Sequence, residues 1–282
     1  MKNKYHWNRI HSTLMTLALT AGVATAGTTE TVAPAPAPAP SDDVVSGVLK
    51  LDINTHFISY GLDVWSDDNP GLSELNFNPM AELAFALPGG FTGTLGAWAD
   101  VTDKNTAGSI GGNLMEVDVW AGLAYTYEKF TVGVTWQEWM YASNTEDILD
   151  VKFAYDCFLT PSLTIHNRLG AGGAGAAGGD EGSILVLGLG HSIEAGPVTI
   201  SFPVNIAYFM TDDFHAPGAD TGFGYASVGV GASLPLSAYM GSSFGDWTLN
   251  SGLTYYFTDD DIIPNNDHND FLTANVGLSL AF

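Results

Sequence analysis

Hydrophobic and polar residues alternate one by one along much of the chain, and the last thirteen residues show the pattern most clearly. Leu272, Ala274, Val276, Leu278, Leu280 and Phe282 share one parity, and Phe271, Thr273, Asn275, Gly277, Ser279 and Ala281 share the other. Because successive side chains of a strand point to opposite faces, this segment predicts a strand with one apolar face and one small or polar face. Such a strand fits the core of a soluble sandwich or the lipid-facing wall of a membrane barrel.

Alternation of this kind recurs and predicts twelve strands and an all-β fold. In the first strand, Leu49, Leu51, Ile53 and Phe57 oppose Lys50, Asp52, Asn54 and His56. The predicted strands cover approximately 48–60, 73–87, 91–99, 114–127, 130–141, 148–159, 163–171, 184–194, 198–210, 224–237, 247–257 and 270–282.

The lengths of the connections decide between a sandwich and a barrel. Tight turns at 87–91, 128–129, 160–162 and 195–197, and a longer one near 239–246, alternate with loops at about 61–72, 100–113, 142–147, 172–183, 211–223 and 258–269. A membrane barrel has short turns at one rim and long loops at the other, and bacterial barrels have even strand numbers. The sequence therefore predicts a single antiparallel transmembrane β-barrel of about 12 strands, with its last strand pairing with its first.

Aromatic residues near the predicted strand ends support the barrel. Phe91, Tyr125, Tyr127, Phe130, Trp247 and Phe282 fall at the turn rim, and Trp136, Tyr208, Tyr255 and Phe257 fall at the loop rim. Two such girdles mark the membrane–water interfaces of outer-membrane barrels. A final strand that ends on an aromatic residue is also typical of them.

The beginning of the chain has the features of an export signal. Residues 1–26 contain a basic start, an apolar stretch from Leu14 to Val23 and the small-residue pattern Ala24-Thr25-Ala26. Residues 27–46 form a Pro/Ala-rich segment, predicted to be an extended periplasmic linker. The barrel is predicted to span 47–282, and the protein to reside in the outer membrane of a Gram-negative cell.

Charge and cysteine content narrow the range of functions. After residue 26, five basic residues stand against thirty-one acidic ones, a formal charge of −26, which excludes a protein that binds nucleic acid through its phosphates. Cys157 is the single cysteine, so neither an intrachain disulfide nor a cysteine metal cluster is expected. No cofactor is expected, and the predicted partners are outer-membrane lipid and small solutes.

Residues 76–156 carry a family resemblance. The matching residues are Asn78-Pro79, the run from Gly93 to Asp100, the run from Met115 to Gly122, and the aromatic stretch from Trp136 to Tyr141. This region resembles the TorF-type outer-membrane porin family, although Tyr60-Gly61-Leu62-Asp63 lacks the arginine that usually follows the family's first strand. The resemblance implies a porin-like outer-membrane barrel and no specific site.

Strand alternation predicts which charged residues line the pore. They are Lys50, Asp52, His56, Glu82, Asp100, Glu116, Asp118, Asp150, Lys152, Asp156, His166 and Arg168. Acids outnumber bases in this set, and an acidic lumen concentrates cations. We therefore predict a channel for passive diffusion of small solutes with weak cation selectivity. The alternative is a closed structural or surface-interaction barrel whose interior is filled by pairing side chains.

The long loops hold a second group of acidic residues. They are Asp67-Asp68, Glu146-Asp147, Asp180-Glu181, Asp212-Asp213, Asp259-Asp260-Asp261 and Asp267. None has the spacing of an EF-hand loop, so weak divalent-cation binding is the most that they predict.

Enzyme activity is not expected. Barrel phospholipases use a serine and a histidine on the lipid-facing wall, but His191 and Ser192 are adjacent in a predicted strand and point to opposite faces. No metal site or catalytic motif is evident in the sequence.

Overall fold

The computed structural model describes residues 44–65, 75–103, 109–142, 144–171, 179–241 and 245–282. The predicted export signal, most of the predicted linker and the acidic pair Asp67-Asp68 lie outside these ranges.

Twelve antiparallel strands close into one barrel, which confirms the predicted fold class and strand number. The barrel strands are β1 (Val45–Asn54), β4 (Asn76–Leu87), β5 (Phe91–Val101), β6 (Leu114–Tyr127), β7 (Phe130–Met140), β8 (Thr145–Tyr155), β9 (Ser162–Ala171), β10 (Gly182–Ala195), β11 (Val198–Phe209), β12 (Gly222–Pro235), β13 (Asp246–Thr258) and β14 (Asp270–Ala281). A two-stranded hairpin, β2 (Ile58–Ser59) and β3 (Leu62–Asp63), forms a separate small sheet.

The last strand closes the barrel against the first, as the sequence predicts. Lys50 lies opposite Ser279, and Asp52 lies opposite Gly277. Register is fixed here because a slip by one residue would move every apolar side chain of β14 from the outer face to the inner face. The half of the barrel next to the short turns is called the turn half below, and the half next to the long loops is called the loop half.

The outer wall is apolar. Leu95, Leu123 and Leu253 on the strands are 52%, 50% and 47% exposed, and Leu272 and Val276 of β14 are exposed to a similar degree. A belt of this size would promote aggregation in water, whereas in a bilayer it is covered by lipid. The alternation of β14 therefore has its apolar face outward, towards lipid.

A short helix, α1 (Ser237–Met240), lies in the longer connection between β12 and β13. Among the described residues, no helix has the length and hydrophobicity required for a membrane span.

The first predicted strand is wrong at its end. β1 stops at Asn54, and the chain from Thr55 to Trp65 turns into the barrel. Phe57, which the alternation places on the lipid-facing wall, is 1% exposed and packs inside the barrel. The alternation of apolar residues continues across Phe57 although the strand has already ended, because the hairpin that follows has its own apolar residues to bury.

Candidate functional site

The segment Thr55–Trp65, called the inner segment, is a compact hairpin. Tyr60 and Gly61 connect β2 to β3 with φ angles of 47° and 83°, which is the pattern of a type I′ turn. The Val64 N–H donates to the Phe57 carbonyl at 2.9 Å and closes the base of the hairpin. Gly61 is required because it packs against the ring of Tyr225 and has no room for a Cβ atom.

One face of the inner segment belongs to the larger hydrophobic cluster inside the loop half. Ile58, Tyr60 and Leu62 are 1%, 3% and 6% exposed. The residues around them come from the barrel wall and from two other loops: Trp139, Ile148, Ile184, Ala207, Phe209, Phe214, Tyr225, Tyr256, Ile262 and Ile263. Burial of this much apolar surface fixes the segment inside the barrel and fills that part of the loop half.

Phe57 anchors the other face of the inner segment. Its ring lies 5.4 Å from the ring of Trp98, in a cluster that also contains Met80 and Trp120. Next to this cluster, the Trp65 indole N–H donates to Asp100 Oδ2 at 2.7 Å. The inner segment therefore contacts both the hydrophobic clusters of the interior and the buried carboxylate of Asp100.

The tip of the inner segment is held by a polar contact with the wall. His166 Nδ1 lies 2.7 Å from Asp150 Oδ1 and 2.5 Å from the Tyr60 hydroxyl. Because a carboxylate only accepts, this nitrogen carries the proton and donates to Asp150, and the hydroxyl oxygen of Tyr60 shares it. Gln137 donates to the other oxygen of Asp150 at 2.8 Å and completes the arrangement.

Four carboxylates lie buried together on neighbouring strands of the loop half. Asp100, Glu116, Asp118 and Glu146 are between 0% and 3% exposed. Asp100 lies directly opposite Glu116, and Asp118 is two residues further along β6 on the same face. Arg168 Nε lies 2.8 Å from Glu146 Oε2, an ion pair that leaves the other three carboxylates without a basic partner in the described part of the chain.

Different side chains line the turn half. Lys50, Asp52, Glu82 and Lys152 point inward and stay partly exposed to solvent. Around them the inward positions are mostly small, including Thr94, Gly96, Gly122, Gly133, Gly190, Gly229 and Gly252. Neighbouring side chains lie against several of these glycines: the indole of Trp120 covers Gly96, and Thr94 and Thr135 lie against Gly122.

The structure places most of the predicted pore-lining residues inside the barrel, but they do not form a single layer. Lys50, Asp52, Glu82, Asp100, Glu116, Asp118, Asp150, Lys152, His166 and Arg168 occupy inward positions of the wall. His56 lies on the inner segment, 3.8 Å from Asp63. Asp156 lies beyond the end of β8 in a turn, where its N–H donates to the Lys129 carbonyl.

Sequence reasoning missed several residues of this site. Glu146 was predicted to lie in a loop, but β8 begins at Thr145 and turns this carboxylate inward. The sequence predicts Tyr60 at the end of the first strand and Trp65 in the loop that follows, whereas both lie on the inner segment. A strand boundary set two residues earlier would have identified Glu146, because alternation then puts it on the face of Asp150.

The connection between β11 and β12 also enters the barrel. His215 Nε2 donates to the Tyr60 carbonyl at 3.0 Å, and the guanidinium of Arg168 lies 4.0 Å from the centre of the Phe214 ring. Burial lowers the pKa of His215 to about 3, and the nearby positive charge of Arg168 contributes. This histidine is therefore neutral while the inner segment is docked.

Acid should loosen the docked inner segment. When the inner segment is released, the pKa of His215 returns to its ordinary value of about 6.5. Between pH 6.5 and about pH 3, the released state therefore binds a proton that the docked state excludes. Docking therefore weakens as the pH falls through this window, by about 2–3 kcal/mol at pH 4.5, and is unaffected by this group above pH 6.5. Iodide quenching of tryptophan fluorescence should rise in acid.

His215→Gln provides the control, because glutamine can still donate to the Tyr60 carbonyl but does not titrate. Burial also lowers the pKa of His56, which adds a smaller dependence of the same sign. His56→Gln should therefore keep most of the pH effect, and His215→Gln should lose most of it. An acid response that is equal in both variants would contradict the role of His215.

The acidic loops are organised by their own backbone. Asp213 Oδ1 accepts the Gly218 N–H at 2.5 Å, and Asp259 Oδ1 accepts the Asp261 N–H at 3.0 Å. Within the described ranges, no three acidic, histidine or cysteine side chains are grouped so that they could hold a metal ion. Weak divalent-cation binding at the loops stays a prediction.

The candidate serine–histidine pair is split by the wall. His191 lies on the outer surface, where its ring contacts Phe158 in a tilted arrangement with centroids 4.2 Å apart, and it lies opposite the outward-facing Phe202. Ser192 has the opposite parity and faces inward. The two side chains therefore cannot act together as a nucleophile and its base.

Comparisons with solved structures show the fold of this chain. An outer-membrane channel from Pseudomonas putida F1 matches with a TM-score of 0.52 and 13% identity, over 89% of this chain and all of that one. The NanC porin matches with a TM-score of 0.47 and 10% identity, over 82% of this chain and 98% of that one. Outer membrane phospholipase A from Escherichia coli matches with a TM-score of 0.43 and 11% identity, over 83% and 92%.

No protein-family model and no curated protein sequence matches the chain. The likeness to the Pseudomonas putida channel shows the β-barrel fold alone, and the TorF-type resemblance stays a prediction. The even strand number, the closed sheet and the apolar outer wall are those of an integral outer-membrane protein.

Proposed function

We propose that the protein is an outer-membrane channel for passive diffusion of small solutes, with weak selectivity for cations. The observation that carries the proposal is the inner wall of the turn half. There the inward positions are small, and Lys50, Asp52, Glu82 and Lys152 stay in contact with solvent. A wall of this kind suits a hydrated path, because its charged and polar groups are stabilised by contact with water.

The charge of the interior supports cation preference. Ten of the predicted lining residues occupy inward positions, and among these the carboxylates outnumber Lys50, Lys152 and Arg168. Fixed negative charge between low-dielectric walls raises the local concentration of cations and excludes anions. Burial of the carboxylates in the loop half limits this effect to weak selectivity while the inner segment is docked.

The inner segment determines whether the path is continuous. In the docked arrangement it occupies the loop half, so passage requires this segment to withdraw. Its polar contacts with the rest of the barrel run mainly through Tyr60, Trp65, Asp63 and the Gly61 carbonyl, which accepts from Asn266 at 2.8 Å. Withdrawal would expose the acidic carboxylates of the wall and increase cation selectivity.

A second candidate is a closed barrel that serves as a structural or surface-interaction protein. The packing of the loop half favours it, because Ile148, Ile184 and Phe209 are fully buried against the inner segment. In this case the acidic loops carry the function, and no solute crosses the barrel.

Conductance in planar bilayers separates these two functions. The purified protein should give discrete openings, and in a potassium chloride gradient the reversal potential should have the sign of cation selectivity. Lys50 and Lys152 line the same half, so Lys50→Gln with Lys152→Gln should increase the preference for potassium. Anion preference, or the absence of openings both from the full protein and from a variant without the hairpin, would contradict the channel.

A further inference from the structure

The buried carboxylates beneath Trp65 have too little positive charge around them. Asp100, Glu116, Asp118 and Glu146 are nearly inaccessible, and Arg168 pairs with Glu146. Among the described residues, the other three have no basic partner. Burying an unpaired carboxylate costs far more than burying an apolar group, so clusters of this kind are normally completed by a cation or neutralised by protons.

Asp118 is the most exceptional member of the cluster. It is 0% exposed, and in the described part of the chain its carboxylate oxygens have no donor other than the neighbouring carboxyl group of Glu116, which lies within hydrogen-bond contact. Glu116 Oε1 also lacks a donor there. Buried polar atoms in native proteins nearly always have a partner, so two adjoining carboxyl groups with free acceptor positions indicate a ligand that supplies donors and positive charge.

Aromatic residues flank these carboxylates. Trp98 and Trp139 are the residues directly opposite Asp118 on the two neighbouring strands. Tyr141 follows on the loop side and hydrogen-bonds Glu116. Carboxylates combined with aromatic rings bind ammonium and guanidinium groups, which gain both ion pairing and cation–π attraction.

The protein itself contains an example of this mode of binding. The guanidinium group of Arg168 lies over the Phe214 ring, pairs with Glu146, and donates from Nη1 to the Phe214 carbonyl at 2.6 Å. The free oxygens of Glu116 and Asp118 offer a second cation the same type of acidic and aromatic surroundings, on the strand next to those of Trp98 and Trp139.

A chelated metal ion fits less well than an organic cation. A calcium ion takes six to eight oxygen ligands, and no three acidic or histidine side chains of the described residues are grouped to hold a metal. An ammonium or guanidinium group needs only two or three acceptors and an aromatic face.

We propose that Glu116 and Asp118 form a binding site for an organic cation, a primary ammonium or guanidinium group, inside the barrel. The inference rests on the proposed channel function and specifies its solute class. Trp65, through its hydrogen bond to Asp100, covers this site while the inner segment is docked. Withdrawal of the segment opens the site to a solute entering from the loop side.

Binding of methylguanidine and putrescine to the purified full-length protein tests the proposal. Tryptophan fluorescence should change in a saturable way with either cation, since Trp65, Trp98 and Trp139 surround the site. The half-saturating concentration should rise at least about tenfold in the Glu116→Gln, Asp118→Asn double variant, because the amides keep the shape and remove the charge. Excision of Ile58–Asp63 should lower it, because it removes the buried side chains that keep the inner segment docked and thereby hold Trp65 over the site.

Asp147→Asn is the matched control. This residue neighbours Glu146 on β8 but points to the outer face, so its loss removes one carboxylate and leaves binding unchanged. Sodium chloride and glycerol at the same concentrations should give no saturable response. A heat-modifiable band on gels verifies that each variant has folded.

Three results would overturn the site. The first is no saturable response in either the full protein or the excised variant. The second is equal binding by the double variant. The third is a response to calcium chloride that methylguanidine does not match. A double variant that is more stable while the parent binds no cation would mean that the carboxyls are neutralised by protons alone.

Failure of the site and failure of the channel remain distinguishable. Conductance of the excised variant without methylguanidine binding would leave the channel in place and remove the site. Saturable binding of methylguanidine by a barrel that never conducts would support the binding site and contradict the channel.

Discussion

Excision of Ile58–Asp63 should increase the conductance of the barrel at least about tenfold, because it removes the part of the inner segment that fills the loop half. Val64 and Phe57 are joined by a backbone hydrogen bond of 2.9 Å, so an Asn-Gly turn can connect them without changing the ends of the loop. The excised residues include Ile58, Tyr60 and Leu62, whose burial holds the segment in place.

A milder variant provides a graded test. Tyr60→Phe keeps the ring contacts with Trp139 and His166 and removes only the hydroxyl that lies 2.5 Å from His166 Nδ1. It should raise the frequency of openings without changing their amplitude, because the docked state is weakened and the open path is the same. Single-channel recordings separate frequency from amplitude.

Phe158→Ala is the control for this series. Phe158 is 73% exposed in the turn after β8, at the opposite end of the barrel from the inner segment. The conductance of the Phe158→Ala variant should equal that of the parent protein. If the excised barrel folds, as shown by heat modifiability, and still gives no openings, the closed-barrel function is favoured over the channel.

Removal of β14 should abolish assembly altogether. A chain that stops at Asn269 leaves β13 and β1 as free edges, and their backbone N–H and C=O groups then face lipid without partners. Each unpaired backbone group in an apolar medium costs roughly 2–7 kcal/mol, so an open sheet cannot persist in the bilayer. Refolding into detergent micelles followed by gel electrophoresis should give no heat-modifiable band.

A substitution within the strand separates pairing from side-chain effects. Asn275→Ser keeps the small polar face inward and the backbone pairing intact, since Asn275 lies opposite Asn54 on β1 and Gly252 on β13. This variant should assemble with the yield of the parent. A stable, heat-modifiable barrel formed without β14 would show that the assigned closure is wrong.

The local sequence pattern was sufficient to predict the barrel wall, because each wall residue faces either lipid or the interior. On β14, Leu272 and Val276 meet lipid while Gly277 and Ser279 face inward, and this division follows from strand geometry alone. The same rule identifies Glu116 and Asp118 as inward-facing. Alternation and loop lengths together are enough to give the number of strands and the closing pair.

Local pattern was insufficient for the interior. Phe57 continues the alternation of β1, and nothing in its neighbourhood distinguishes a lipid-facing phenylalanine from one that is buried inside the barrel. Tyr60 meets His166, and His215 meets Tyr60, across separations of 106 and 155 residues. No periodicity within one segment encodes contacts at such distances.

By itself, therefore, the sequence determined the all-β class, the twelve strands, the outward apolar face and the acidic character of the inward one. Backbone pairing and lipid contact repeat along every strand, so a short window contains the information. Only the tertiary structure decided that Thr55–Trp65 enters the barrel and that Glu146 points inward beside Arg168. It also decided that Asp118 lies buried between Trp98 and Trp139, because packing inside a closed barrel depends on every strand and loop at once.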